Sequence, residues 1–435
     1  MVFDITSYGA IPDGITNNSA AIQKAIDECS VNGGRVVIPA GRFLSGSIRL
    51  RSNVDLHLES GAELISSVNQ DDMIDFSKDF EDDNEDTGWE GGCFIFAAHE
   101  QNVSITGYGK IDGQGRMSFY DDDSDSGYGE CPLAIKGFRP RMSFLEDIDN
   151  LTISDVTFYD AAYWTVHMAG CKNVLIENIR ILNNDRAPNN DGIDPDSCKN
   201  VIIRGCIIEG GDDSVVLKAT GPMSRKYGDC ENIVISDCIM KSRSCALKIG
   251  TETHGNIHHV ILADCILKDC NRGFGIWSRD GGEIHDITIH NIQGNTRRYS
   301  NCTTRDTGIH IWWGKGDPVY ISATKREGVD RVPGRIYNIG LENLQLISEG
   351  MIVIAGEEYS RIQNVSIKNS RIVYKKQSPH DVTFIDEMPS ARGCYHHIPG
   401  YAYIRCADDV DIDFDKCSEI DESMGEVFIT EVFEE

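Results

Sequence analysis

The chain has 435 residues, 40% of them hydrophobic, with 69 acidic against 41 basic side chains and a formal charge of −28. That field repels nucleic acid and anionic membranes, and no run of about eighteen apolar residues marks a transmembrane helix. Residues 1–9 carry neither a basic segment nor a long apolar one, so they do not read as a signal peptide, and a cytoplasmic location is expected.

In chain order, residues 1–67 read as a cap module. Tyr8-Gly9-Ala10-Ile11-Pro12-Asp13-Gly14 is turn-rich. Asn18 or Ser19 can cap a helix to about Cys29, with Ala21, Ile22, Ala25 and Ile26 on one face. Gly33-Gly34 stops it, and short strands follow at 35–41 and 53–58. An amphipathic helix ahead of stacked strands suits a lid on an otherwise open core. Residues 70–92 and 120–130 are acidic, with Glu81-Asp82-Asp83-Asn84-Glu85-Asp86 and Asp121-Asp122-Asp123-Ser124-Asp125; they read as solvated loops or as one wall of a cleft.

From Asn102 a repeat sets in: a polar residue, then apolar-x-apolar, a short break, and apolar-x-apolar again. Its instances begin at Asn102, Asn150, Asn173, Asn200, Asn232, His259, Asp286, Asn338 and Asn364. Most steps are 23 to 32 residues. The longer gaps from Val54 to Val103, Val103 to Leu151 and Ile287 to Ile339 each read as two units. Period-2 strands at such steps predict a parallel β-helix, whose turns bury their inner faces only by stacking. The expected fold is therefore all-β, a parallel β-helix solenoid with an N-terminal capping helix. It forms a single domain over residues 1–435: cap 1–67, turns 68–375 with acidic loop insertions, closing segment 376–435.

The 15 cysteines lack CxxC pairs, so neither a disulfide scaffold nor a structural zinc site is expected. Cys206, Cys238 and Cys265 follow the first strand of three consecutive turns, and Cys171, Cys198 and Cys230 precede it; both sets read as stacked core residues. His254, His258 and His259 have His-x3-His spacing. They fall between strands and not on a helix, so they read as turn or surface histidines.

Two acid clusters, Asp191/Asp194/Asp196 and Asp212/Asp213, precede similar apolar runs. Stacking places Asp191 and Asp213 about 5 Å apart along the backbone spacing of neighbouring strands. Carboxylates grouped this way share protons, and one pKa rises. That suits an inverting glycosidase, in which one acid protonates the leaving oxygen and another activates water, roughly 6.5–9.5 Å away. A calcium site or a set of polar turn residues fits the spacing as well.

The start module resembles the pectate-lyase-like right-handed β-helix superfamily, and residues 3–375 resemble glycoside hydrolase family 28, the polygalacturonase family. The family's Asn-Thr-Asp motif is matched by Asn189-Asn190-Asp191, or more fully by Asn190-Asp191-Gly192-Ile193-Asp194-Pro195, and Gly-Asp-Asp by Gly211-Asp212-Asp213. The resemblance implies that Asp212 is the general acid and that Asp191 with Asp213 holds and deprotonates the water. It implies no metal and no cofactor. Two departures stand out. The Gly-His-Gly histidine falls at Ser244 or Cys245, in a run ending Lys248-Ile249-Gly250-Thr251-Glu252. The Arg-Ile-Lys clamp for a galacturonate carboxylate falls at Gly275-Ile276-Trp277.

Arg272, Arg279, Lys218 and Lys248 are the candidate replacement cations. Trp277 offers a flat face to a sugar ring, and Trp312, Asp194, Glu252, Asp280 and His310 are further candidate sugar contacts. The expected activity is exo cleavage of pectin-derived or related oligosaccharides, with a neutral or deoxy sugar in place of galacturonate. A lyase, an epimerase or a fructan transferase on the same scaffold is the alternative, as is a non-catalytic glycan-binding β-helix.

Overall fold

The computed structural model describes residues 1–75, 92–121, 132–299 and 315–434. His310, Trp312 and the acidic stretches 81–86 and 122–125 lie outside the described residues. Among those described, 33 strands join into one continuous sheet, wound as a right-handed parallel β-helix. No helix among them is long and apolar enough to cross a membrane.

One turn is built from three short strands. Lys172–Glu177, Arg180–Leu182 and Ile193–Asp196 make one coil, and Lys199–Arg204, Ile207–Gly210 and Val215–Ala219 lie on it in register. The polar residue that opens each repeat is explained by its backbone. All nine have φ between 53° and 64°, a left-handed conformation that asparagine and aspartate tolerate best among residues with a Cβ. Stacked over one another, they form an asparagine ladder: Asn102 donates to Asn53 at 2.9 Å, Asn150 to Asn102 at 2.8 Å, Asn200 to Asn173 at 3.1 Å and Asn232 to Asn200 at 3.2 Å. The apolar residue after each is inside, and Val103, Leu151, Val201, Ile233, Val260, Ile287, Ile339 and Val365 form one buried column. Each such side chain contributes about 1.5–3 kcal/mol.

The three long gaps are single turns, not two each. Leu56 pairs directly with Ile105, Val103 with Leu151 and Ile287 with Ile339. A turn needs only its three strands to pair, so the surplus chain adds no turn; its described parts, 67–75, 113–121, 132–140, 297–299 and 315–318, lie between those strands.

The cap helix Ser19–Asn32 buries Ile22, Ala25, Ile26 and Cys29 against the first coil. Asn18 does not cap it through its side chain; that amide instead ties Ile11, Thr16 and Leu44 together. Both cysteine columns are internal. Their thiols donate to stacked carbonyls, as in Cys171 to Leu145 at 3.2 Å and Cys238 to Ser236 at 3.1 Å. Cys394 is disulfide-bonded.

The third strand of each turn forms the sheet that matters for function. Loops outside the repeat lie on its outer face, where Arg272 donates to Asp386 O and Arg279 to Pro389 O. All seven residues of Arg272–Ser278 are buried as a result, and the alternation seen in the first sheet is lost.

Candidate active site

Asp191 and Asp213 flank neighbouring third-sheet strands, since Ile193 pairs with Val215. The Gly192 amide donates to the Asp213 carbonyl at 2.8 Å. Asn190 locks the two segments together. Its Oδ1 accepts the amides of Gly211 at 2.9 Å and Asp212 at 3.1 Å, while its Nδ2 donates to Asn184 O. Gly211 must be glycine, because a Cβ there would sit 2.3 Å from the Ala187 carbonyl. The outcome is that carboxylate oxygens of Asp191, Asp212 and Asp213 lie within 4.8 Å of one another. The wide separation expected for an inverting pair is thus not found, because two of the acids are consecutive residues and the third is one strand spacing away.

The three acids differ in their partners. Asp212 accepts the amides of Asn189 at 3.1 Å and Asp213 at 2.9 Å, and it is the most exposed of the three at 7%. Asp213 accepts the Cys245 amide at 3.0 Å and meets Lys248 Nζ at 2.9 Å. Asp191 has Lys218 Nζ at 3.8 Å, and its Oδ1 has no hydrogen-bond partner among the described residues.

Burial, then Asp213, pushes Asp212 up to about 6, against the pull of Lys248. Asp191 is raised well above the carboxylate range by burial, then by Asp212 and Asp194. Asp194 is pushed up to about 7 by burial, with Lys218 opposing. Burial also opposes the charge on Glu252, but Lys218, Lys248 and Arg326 outweigh it and hold this carboxyl well below the usual range. The cluster therefore retains protons near neutral pH on some members and not on others, as acid–base work requires.

Lys218 joins Asp191, Asp194 at 3.7 Å and Glu252 at 3.4 Å. Arg272 is engaged elsewhere: it pairs with Asp317 at 2.9 Å, donates to Asp386 O at 2.7 Å and stacks 4.0 Å from the Tyr320 ring centre. Arg279 is a structural tie and not a sugar ligand. It is fully buried, and its guanidinium donates to the carbonyls of Pro389, Ser278 and Ser322 and to Ser322 Oγ.

Trp277 is not an open platform. It is 3% exposed and lies over Gly275, where a Cβ would come within 2.1 Å of its ring. Where the resemblance places an arginine and a lysine, a glycine thus makes room for a tryptophan. Its Nε1 has no hydrogen-bond partner among the described residues. Asp280 is held by Arg326 at 2.7 Å.

The sequence reading missed Tyr163, Trp164, His167 and Arg326. Trp164 carries Lys218 4.4 Å above its ring centre, and His167 packs edge-on against it at 4.7 Å. His167 is pushed down to about 4 by burial and is neutral. A signal for Trp164 existed: the pairing of Val166 with Ile193 sets it opposite Asp191, one repeat step earlier. Arg326 has no such signal, because it lies in the irregular segment between the strands Val319–Ala323 and Ile336–Ser348, outside the repeat. As for metals, the triad of acids has ligand spacing, but Lys248 and Lys218 already lie against it.

A family model, glycosyl hydrolases family 28, matches residues 30–300, more than half of the chain. A probable polygalacturonase of Vitis vinifera is 31% identical over 248 residues, 55% of this chain and 48% of that protein. An exo-poly-alpha-D-galacturonosidase of Dickeya chrysanthemi is 27% identical over 299 residues, 58% of this chain and 48% of that protein. The chain spans about half the length of the curated relatives it matches. The solved family 28 exopolygalacturonase of Yersinia enterocolitica matches with a TM-score of 0.69 at 18% identity, over 100% of this chain and 78% of that one.

Proposed function

Since the chain belongs to glycosyl hydrolases family 28, we propose that it is a glycosidase that trims pectin-derived or related oligosaccharides from one end, with a neutral or deoxy sugar in place of galacturonate at the cleaved bond. The observation that carries the hydrolase reading is the convergence of Asp191, Asp212 and Asp213 within 4.8 Å, each with different partners.

In this mechanism Asp212, the most exposed of the three and a proton carrier up to about pH 6, gives its proton to the glycosidic oxygen as the bond to the anomeric carbon breaks. A water held between Asp213 and Asp191 attacks that carbon, and its proton passes to Asp213, whose charge is matched by Lys248. Asp191, raised by burial and by Asp212, shares with Asp212 the proton that the cluster retains. Attack by water from the far face gives inversion. The short spacing of the acids favours a second reading, direct attack by a carboxylate with retention, since retaining pairs stand about 5–5.5 Å apart. The anomer formed first, followed by proton NMR, decides between them.

Two observations support the neutral sugar. Lys218, Lys248, Arg272 and Arg326 each have an acid partner already, whereas a uronate is best held by a free bidentate cation. The family resemblance aligns Gly275 and Trp277 with the clamp positions. The exo reading is supported by the names of the Dickeya and Yersinia proteins.

The test is a panel of aryl glycosides, oligogalacturonides and mixed pectic fragments, with wild type and Asp212→Asn. Wild type is expected to release single end residues, and Asp212→Asn to be roughly 10²–10⁴-fold slower, the usual span for general acid catalysis. Fastest release of galacturonate from oligogalacturonides would overturn the neutral-sugar reading and leave the hydrolase standing. No cleavage of any glycan would overturn both.

A further inference from the structure

The asparagine ladder is interrupted at His259, between Asn232 and Asp286; above it the rungs resume, since Asn338 donates to Asp286 at 2.9 Å. Metal-ligating residue types gather at this break. Glu231, His258 and His285 occupy one register column across three turns, followed by Tyr337. The rings stack: His258 on His285 with centroids 4.8 Å apart and planes 8° apart, His285 on Tyr337 at 4.8 Å and 6°. That stack fixes the plane of His258. The left-handed φ of 54° at His259 turns two consecutive side chains toward the same side, and their Nδ1 atoms stand 2.7 Å apart. The other nitrogen of His258 faces Asp229 at 3.6 Å and Glu231 at 3.7 Å.

We propose that Glu231, His258 and His259 form a binding site for a late first-row divalent cation of the zinc class, separate from the catalytic acids and on a different sheet. One ligand-type atom from each of the three lies within 4.8 Å of the others; Glu231 Oε1 already pairs with Lys199 Nζ at 2.6 Å, which leaves Oε2, 3.7 Å from His258 Nε2, for the cation. Zinc, at about 2.0–2.1 Å from nitrogen and oxygen, sets tetrahedral ligands about 3.4 Å apart. The imidazole pair must open slightly and the carboxylate must close, and rotation of the exposed His259 side chain allows both. Mixed imidazole and carboxylate donors select zinc, nickel or copper over calcium and magnesium.

Asp286 accepts from His285 at 2.8 Å and stands 3.9 Å from His259 Nε2. A cation here would staple the turn of Glu231 to that of His258, where His259 interrupts the ladder. This site departs from the expectation of surface histidines without a metal.

The experiment uses the tag-free full chain, stripped with a chelator and titrated near neutral pH with Zn²⁺ by calorimetry and with Co²⁺ by visible absorption. One equivalent is expected to bind, and the unfolding midpoint is expected to rise with Zn²⁺ but not with Ca²⁺. His258→Ala and His259→Gln should each weaken binding roughly tenfold or more, with unchanged circular dichroism, while the double variant Asp212→Asn/Asp213→Asn keeps the equivalent. The proposal is overturned by no saturable Zn²⁺ binding below about 1 mM, by binding that survives in both histidine variants, or by loss of the equivalent in the aspartate double variant.

Discussion

Replacing Lys248 by methionine removes the counter-charge from Asp213 with little change of shape. Nζ stands 2.9 Å from Asp213 Oδ2, with side-chain exposures of 18% and 0%. At that distance and an effective dielectric constant of about 20 the attraction is about 6 kcal/mol. Desolvation of the lysine offsets part of this, and losing one partner of a buried pair costs about 3–5 kcal/mol. Urea unfolding at neutral pH should show a loss of that size.

Activity adds a second readout. A general acid works protonated, so the rate falls as pH rises through its pKa, about 6 for Asp212. Lys248 holds that value down, so in Lys248→Met the falling limb of kcat/KM should move to higher pH while the maximum drops. Urea titrations and pH–rate profiles on the same two proteins give both numbers. A stability loss with an unmoved limb would mean that Lys248 is only structural. No change in either would mean that the ion pair contributes nothing.

Three further outcomes follow from the geometry. Asp194, with a folded pKa of about 7 against an ordinary value near 4, contributes stability that is full below about pH 4 and lost as pH rises through about 7. Asp194→Asn should therefore be neutral near pH 4 and stabilising above pH 7, by at most about 4 kcal/mol for a shift of about three units, and a gain of equal size at both pH values would contradict the linkage. Asn200→Ala pays for a left-handed residue with a Cβ and loses the ladder bonds to Asn173 and Asn232, about 2 kcal/mol together; Asn200→Gly should recover roughly half in urea melts, and equal losses would remove the backbone argument. Gly275→Ala places a Cβ 2.1 Å from the Trp277 ring and should cost about 1–3 kcal/mol, with a shifted tryptophan emission and weakened kcat/KM; unchanged emission would mean that the ring does not lie there.

The first sheet was legible because two independent constraints coincide in it. Asparagine marks the left-handed corner, and the residue after it must be apolar to face the core. The acids were legible for a related reason: charge beside an apolar strand is costly in a core, so Asp191, Asp212 and Asp213 stood out. The surplus chain was not legible as such, since a gap of two units and a single turn with a long loop have the same length in sequence; only the pairing of Val103 with Leu151 separates them. The third sheet is hidden as well. Loops such as the one carrying Asp386 and Pro389 bury its outer face, so Trp277 and Arg279, read as candidate sugar contacts, are both enclosed. Lys315, Asp317, Arg326 and Asp386 reach the cleft from distant loops, and neither periodicity nor spacing could bring them to Arg272 and Asp280.

Asp212 and Asp213 show most sharply where sequence reasoning ends and structure begins. They are consecutive and chemically identical, yet the proposed mechanism gives them opposite tasks. Asp212 turns back onto the amides of Asn189 and Asp213, remains the more exposed, and carries burial and the neighbouring charge as a raised pKa. Asp213 turns inward onto the Cys245 amide and Lys248. The difference comes from the next turn of the coil, whose Lys248 pairs directly with Asp213 and acts on Asp212 only at longer range. A charge on a neighbouring strand thus separates donor from acceptor in a pair that the sequence presents as equivalent. On this reasoning the position of Lys248, and not the Gly-Asp-Asp motif by itself, decides which aspartate gives the proton.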